Sequence, residues 1–409
     1  MRQGPTPVER ARIALFIRSL KGNGAERSMG NLAAALAARG HEVDLVLANA
    51  SGPFLKDVPP EVRVVDLKVR TALGALSLAV RRPSDFAVLL PVLASPRAPR
   101  ALGAIPALAR YLRARRPQAL LSALDMGNVA AVIARDLAGV DVRVALSQRN
   151  HFTSDLLNAR DPTVARLAPI VRRFYPRADR IVAVSDGVAE DLAERCGLPR
   201  TAVATIYNPV VGPSLARLAA EPVDEPWYGD GAGPVLLAVG KLKPQKDFPT
   251  LLRAFAALRA TRPARLVILG EGPDRAALET LARELGVGGE VRMPGFDDNP
   301  FAHMARADLF VLSSAFEGLP GVLIQALACG CPAVSTDCPS GPREILEGGR
   351  HGALVPVGDA TALASAIARA LDTPPDRAAL RARAGFFSFE RSAEAYERVL
   401  LASPDRPRG

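Results

Sequence analysis

The sequence predicts an α/β protein of two Rossmann-like domains facing each other across a cleft, and three observations carry that reading. Ile13 to Ile17, the loop Lys21-Gly22-Asn23-Gly24-Ala25-Glu26, a helical run through Ala38 and an apolar stretch from Glu42 to Ala48 follow one another. Strand, glycine-bearing loop, helix and strand in that order open a doubly wound sheet. A second run of the same kind starts at Val235-Leu236-Leu237-Ala238-Val239-Gly240. Finally, 409 residues are more than a single hydrophobic core usually takes in.

Further strands of the first half are expected at Ala119 to Ser122, Arg143 to Ser147, Ile181 to Ser185 and Val203 to Ile206, before Tyr207-Asn208-Pro209 breaks the pattern. Residues 212–232, rich in Pro, Gly, Asp and Glu, read as a linker. In the second half strands recur at Arg265 to Leu269, Glu290 to Met293, Leu309 to Ser313 and Ala333 to Thr336. The expected organisation is therefore a first domain over 1–211, the linker over 212–232 and a second domain over 233–390. A helix over 391–402, with no strand after it, and a disordered tail over 403–409 complete the chain. Ligands of such sheets bind outside the carboxyl ends of the strands, which puts the expected site between the two halves.

Composition narrows the partners. A formal net charge of +10 points toward polyanions. With 5% aromatic residues and no recognisable binding motif, nucleic acid is excluded. The basic residues concentrate in 63–116, where eleven Arg and Lys stand against two Asp among apolar stretches such as Phe86 to Ala94 and Ala101 to Ala109. A surface helix pair of that composition suits an anionic membrane; the same pattern is that of helices covering the first sheet with their arginines in water. Cys196, Cys329, Cys331 and Cys338 lack paired Cys-x2-Cys spacing and a nearby histidine, so they read as small core residues in a reducing compartment. No apolar run approaches the ~18 residues of a spanning helix, and no charged-then-apolar leader precedes the first strand. A cytoplasmic protein, at the inner membrane face if 63–116 engages lipid, is expected.

The most informative stretch is Glu317-Gly318-Leu319-Pro320-Gly321 through Gln325 to Pro332. An acid ends an apolar strand, a Gly/Pro turn follows, and a helix begins whose free N–H groups and positive dipole end seat a phosphate. Glu317 at the loop and Gln325 two turns along are spaced to touch opposite ends of an extended ligand. A nucleotide-sugar has that form. Of the four histidines, His41, His303 and His351 have structural explanations, whereas His151, with Arg149 and Asn150, follows the strand Arg143 to Ser147 on the expected cleft side.

Nearly the whole chain resembles the retaining glycosyltransferases of the GT-B type, group 1 (family 4). The resemblance rests on Gly24-Ala25-Glu26, Ser185-Asp186-Gly187-Val188 and Tyr207-Asn208-Pro209-Val210, and on Val239-Gly240-Lys241-Leu242-Lys243-Pro244-Gln245-Lys246 in the second half. Leu269-Gly270-Glu271-Gly272-Pro273, Pro294-Gly295-Phe296, the stretch from Glu317 and Ser340-Gly341-Pro342-Arg343-Glu344 complete it. It implies that Lys241 and Lys246 grip the donor diphosphate, an electrostatic role suited to a closed cleft. Lys241 stands where the family more often has Arg; it keeps the charge and loses the bidentate fork. Glu317 matches the first acid of the family's Glu-x7-Glu motif, which holds hydroxyls of the transferred sugar, with Gly318 and Leu319 beside it. The second acid, which binds the ribose, is here Gln325, an amide that keeps one acceptor and loses the charge-assisted bond.

The resemblance further implies that Gly22 and Gly24 approach the donor phosphate and that Phe296 flanks the nucleobase, although a core phenylalanine fits that position equally. A donor-contacting histidine of the family falls at His151, or Arg149 takes its place; Asn150 and His151 are the acceptor-side candidates. The implied activity is metal-independent, cofactor-free transfer of a hexosyl or N-acetylhexosaminyl group. A UDP- or GDP-sugar would supply it to a hydroxyl of a glycan or lipid-linked acceptor, in cell-surface polysaccharide, lipopolysaccharide or lipid-linked glycan synthesis. Gln325 keeps open a catalytically silent sugar-nucleotide-binding subunit, and the architecture a nucleotide-sugar epimerase.

Overall fold

The computed structural model describes residues 10–95, 98–158 and 166–402, so the tail over 403–409 lies outside the described residues. The chain forms two compact units. One comprises the residues up to Pro209 together with those from Phe389 onward; the other is Val210–Ser388.

The first unit is a seven-stranded sheet made of β1 (Arg12–Ile17), β2 (Glu42–Leu47), β3 (Val62–Asp66), β4 (Ala119–Ala123), β5 (Arg143–Gln148), β6 (Arg180–Ala183) and β7 (Val203–Thr205). Its order is β3-β2-β1-β4-β5-β6-β7, and each pair is parallel. The central strands are nearly continuous apolar runs because both faces are covered; Ile13 through Ile17 have no exposed surface. Strand order reverses between β1 and β4, so the loops that leave those strands flank this unit's natural crevice.

The second unit repeats the plan with β8 (Val235–Val239), β9 (Arg265–Leu269), β10 (Val291–Gly295), β11 (Leu309–Leu312), β12 (Ala333–Thr336) and β13 (Ala353–Val355). Its order is β10-β9-β8-β11-β12-β13, again parallel throughout, with the reversal between β8 and β11. The two Rossmann-like domains of a GT-B fold are thus present.

One segment differs from expectation. Residues 212–232, read as a linker, belong to the second unit and are packed there. The helix Leu215–Ala220 runs beside the helix Pro300–Arg306, and Asn299 Nδ2 donates to Leu218 O at 2.9 Å. The guanidinium groups of Arg265 and Arg292 stand over the Trp227 ring, at 5.1 and 5.3 Å from its centroid. The last helix, Phe389–Leu401, returns to the first unit. There Ala393, Tyr396 and Leu400 are buried in the same core as Leu32, Leu36 and the strands β1 and β2. Arg39 clamps Glu397 with two bonds, at 2.5 and 2.8 Å, and His41 Nε2 reaches the same carboxylate at 2.9 Å. His41 Nδ1 accepts from the Ala11 N–H at 3.2 Å, so Nε2 carries the proton and donates.

Candidate active site

The register of β8 against β11 builds the centre of the second unit. Leu236 pairs Leu309 and Leu237 pairs Phe310, so the loops that follow leave the sheet side by side at the reversal point. Three further bonds tie them together. Ser313 Oγ donates to Lys246 O at 2.8 Å, Ala315 N to Gln245 O at 2.9 Å, and Gln245 Nε2 to Phe316 O at 2.9 Å. The carbon stem of Lys246 lies over Gly240, where an added Cβ would stand 3.2 Å from its Cε. Guided along that path, Lys246 Nζ meets Glu317 Oε1 at 2.5 Å, and Ser314 Oγ donates to the same oxygen at 2.7 Å. Both charged side chains are mostly buried, at 15% and 9% exposure.

The third wall is the loop after β12. Ser340 Oγ donates to the carbonyls of Glu317 and Gly318, at 2.6 and 3.1 Å. Gly341 sits at φ 94°, ψ −64°, and an added Cβ would come within 2.5 Å of Pro320 Cδ. Glu317, Gly318 and Leu319 are thereby held just ahead of the helix Gly321–Ala328, whose start carries no capping side chain and no acid in its first turn. Gln325 is buried on that helix, and among the described residues no side chain hydrogen-bonds its amide. Lys241 is exposed, and among the described residues no carboxylate pairs with it. Phe296 is not a core residue. It is 59% exposed at the end of β10, on the rim of a cavity of about 240 Å³ shared with Pro294, Asp297, His303 and Glu225.

The first-unit candidates are arranged differently. Gly22 N and Asn23 N both donate to Glu26 Oε2, while Asn23 Oδ1 accepts from Glu26 N, so a reciprocal cap shapes the loop after β1. An added Cβ at Gly22 or Gly24 would meet nothing within 4 Å, which leaves room for a ligand in front of them. Arg149, by contrast, is 5% exposed and faces inward. Its Nη1 donates to Ser28 Oγ at 2.9 Å and to Asn208 Oδ1 at 2.5 Å, and Nη2 points at Met29 Sδ. Burial lowers its pKa, and its Nε has no partner among the described residues. Asn150 Nδ2 donates to Asp155, and His151 Nδ1 faces Ser154 Oγ at 3.0 Å, both at the start of the helix Phe152–Asn158. These residues hold local structure.

Sequence reasoning missed Asp125. It follows β4 at the first unit's reversal point, straight after Leu124, whose φ of 71° is rare for a residue with a side chain. Burial pushes its carboxyl above the ordinary range, against hydrogen bonds from Gln148 and Tyr175 that favour ionisation. An acid three residues after an expected strand end was the available signal. The four cysteines are unpaired and buried, and burial pushes the thiols of Cys196, Cys329 and Cys338 up to about 12. Among the described residues no helix is long and apolar enough to cross a membrane.

Comparison with known proteins covers both units. Residues 228–385 match the family model of glycosyl transferases group 1, and residues 22–211 that of glycosyltransferase family 4. An N-acetylgalactosamine-N,N'-diacetylbacillosaminyl-diphospho-undecaprenol 4-alpha-N-acetylgalactosaminyltransferase of Campylobacter jejuni is 32% identical over 57% of this chain and 60% of its own length. The lipopolysaccharide core biosynthesis glycosyltransferase LpsE of Rhizobium meliloti is also 32% identical, over 56% of this chain and 66% of its own. The matches therefore span about two thirds or less of those relatives. Among solved structures, Anabaena HepE in complex with UDP-glucose aligns over 96% of this chain and all of its own, with a TM-score of 0.73 at 18% identity. A lipopolysaccharide outer core galactosyltransferase, WaaB, aligns over 96% and 99% with a TM-score of 0.69 at 20% identity. At those identities the likeness is one of fold.

Proposed function

Because this chain belongs to the group 1 glycosyltransferases of the GT-B fold, we propose that it transfers a sugar, with retention, from a nucleotide-sugar to an acceptor hydroxyl. The observation that carries the reading is the junction at the β8/β11 reversal, where Lys246, Glu317 and an uncapped helix start converge. Lys246, with the exposed Lys241, meets the charge that builds on the diphosphate as the glycosidic bond breaks. Glu317 receives hydroxyls of the transferred sugar. Gln325 offers its amide to the ribose. The acceptor hydroxyl joins the anomeric carbon on the face the nucleoside diphosphate leaves, and the departing phosphate oxygen takes the proton. The lysines supply the cationic role that a divalent ion fills elsewhere, so we propose no metal. A UDP- or GDP-sugar is the donor class, carrying a hexosyl or N-acetylhexosaminyl group; the structural neighbour bound to UDP-glucose supports the first.

The acceptor we propose is a glycan or lipid-linked saccharide of cell-surface synthesis, as the names of the relatives suggest. On the first unit, Asn150 and His151, with Asp125 at the reversal point, are the acceptor-side groups, and Gly22 and Gly24 keep the donor-phosphate role the resemblance implies. Arg149 supports them from within by holding Asn208. Leu73, Leu76, Val80 and Leu90 project into solvent, Val80 at 89% exposure, beside the exposed Arg70 and Arg81. Such a surface suits the anionic inner face of the cytoplasmic membrane. The test of the reading is a thermal-shift screen with UDP, GDP, ADP and their sugar derivatives on the native chain and Lys246→Ala. A ligand that binds only the folded state raises the melting temperature. A selective rise that disappears in Lys246→Ala is expected; no rise with any nucleotide at millimolar concentration would overturn the donor site.

A further inference from the structure

The lysine assigned to the donor diphosphate is paired in the structure with the acid assigned to the donor sugar. Glu317 Oε1 takes both the Lys246 ammonium and the Ser314 hydroxyl, and Ser314 is fully buried. The bonds between the two loops keep the backbones beneath the pair from separating, so only the side chains can rearrange. A diphosphate drawing Lys246 toward itself would leave a buried carboxylate oxygen with the single neutral donor Ser314. Removing one partner of a buried charge pair costs more than the pair itself contributes.

We infer that the Lys246–Glu317 pair makes this site select a nucleotide-sugar over the spent nucleoside diphosphate. A sugar hydroxyl of the whole donor can donate to the oxygen that Lys246 gives up, which offsets the loss. A nucleoside diphosphate brings no such hydroxyl to Glu317 and must break the pair uncompensated. The site therefore takes up donor as a unit and, once the sugar has left, reforms the pair and expels the leaving group. This inference rests on the donor-site reading given above.

Calorimetric titration with UDP, GDP and ADP tests it, on the native chain, Glu317→Gln, Ser314→Ala, Lys246→Met and the Lys246→Met/Glu317→Gln double variant. Glutamine keeps the shape of Glu317 and can still accept from Ser314, so a native melting profile is the control for folding. The nucleoside diphosphate that binds the native chain should bind Glu317→Gln about tenfold more tightly, since the competing charge is gone. Ser314→Ala should move affinity the other way, because the carboxylate is then left bare when Lys246 departs. With Lys246→Met in the background, Glu317→Gln should change affinity by less than about twofold. Equal or weaker binding by Glu317→Gln overturns selection by the pair. A gain of the same size in the Lys246→Met background overturns it too, since that gain is a general field effect. If none of the three nucleotides binds either the native chain or Glu317→Gln, the donor-site reading itself has failed.

Discussion

Gly341→Ala is the perturbation that tests how far the site depends on its third wall. At φ 94°, ψ −64° the backbone lies where residues with a side chain are strained by about 1–3 kcal/mol. The new methyl would stand 2.5 Å from Pro320 Cδ, 3.0 Å from Gly318 O and 3.2 Å from Leu319 Cα. None of these is the free end of a flexible chain, so the overlap adds about 1–3 kcal/mol of the kind that overpacking brings. The total of roughly 2–6 kcal/mol corresponds to a fall of about 4–24 °C in the melting temperature of a unit this size. The strain falls on Gly318 to Pro320, next to Glu317, so nucleotide-sugar affinity should drop while the first unit melts as before. Calorimetric melts with and without the bound nucleotide read both effects. A melting temperature within about 2 °C of native, with unchanged nucleotide binding, would refute the claim that this wall holds the Glu317 loop in place.

Three further outcomes are expected. Burial opposes ionisation of Glu397, but hydrogen bonds from Arg39 and His41 outweigh it, so this carboxyl titrates below the usual range. Its stabilisation is therefore present above the unfolded value near ~4.3 and is lost as pH falls through the folded one. Glu397→Gln should cost about 1–3 kcal/mol at pH ~7 in chemical denaturation and progressively less as pH falls through the folded value; a cost that does not shrink with acid contradicts the linkage. Asp125 works the other way. With its folded pKa raised, its contribution is whole below the unfolded value of about 3.9 and declines as pH rises through the folded value. Asp125→Asn should thus melt higher than native at pH ~7 and level with it at acid pH, and identical melts at both would remove the case for a strained acid there. Finally, Leu76→Asp with Val80→Asp should abolish co-sedimentation with phosphatidylglycerol vesicles; retained binding would place the membrane surface elsewhere.

The fold was legible wherever strands are buried on both faces. Runs such as Val235 to Val239 are apolar at every position because parallel strands are covered above and below. The strands β3 and β13 escaped; they are sheet edges, short and half in water, although the other two edges, β7 and β10, were found. Composition misled over 212–232: Pro and Gly marked a linker, yet Leu215 and Trp227 bind the segment to the second unit by packing that no composition reports. Lys246 and Glu317 could each be picked from their motifs. Their pairing could not, since it arises from the adjacency of β8 and β11, strands with β9 and β10 between them in the sequence. Arg149 stood out as a cation at a strand end, but its inward turn depends on Ser28 and Asn208 coming from distant parts of the chain.

The return of the last helix bears on the order in which this protein is made. The second unit is one continuous stretch, Val210–Ser388, and has all its strands before residue 389 leaves the ribosome. The first unit, though begun earlier, lacks Ala393, Tyr396 and Leu400 from its core and Glu397 from the side of Arg39 until the whole second unit has been made. Domains usually mature in the order of synthesis. Here the unit begun first is finished last, and its unfilled core is what a nascent chain must keep from aggregating in the meantime.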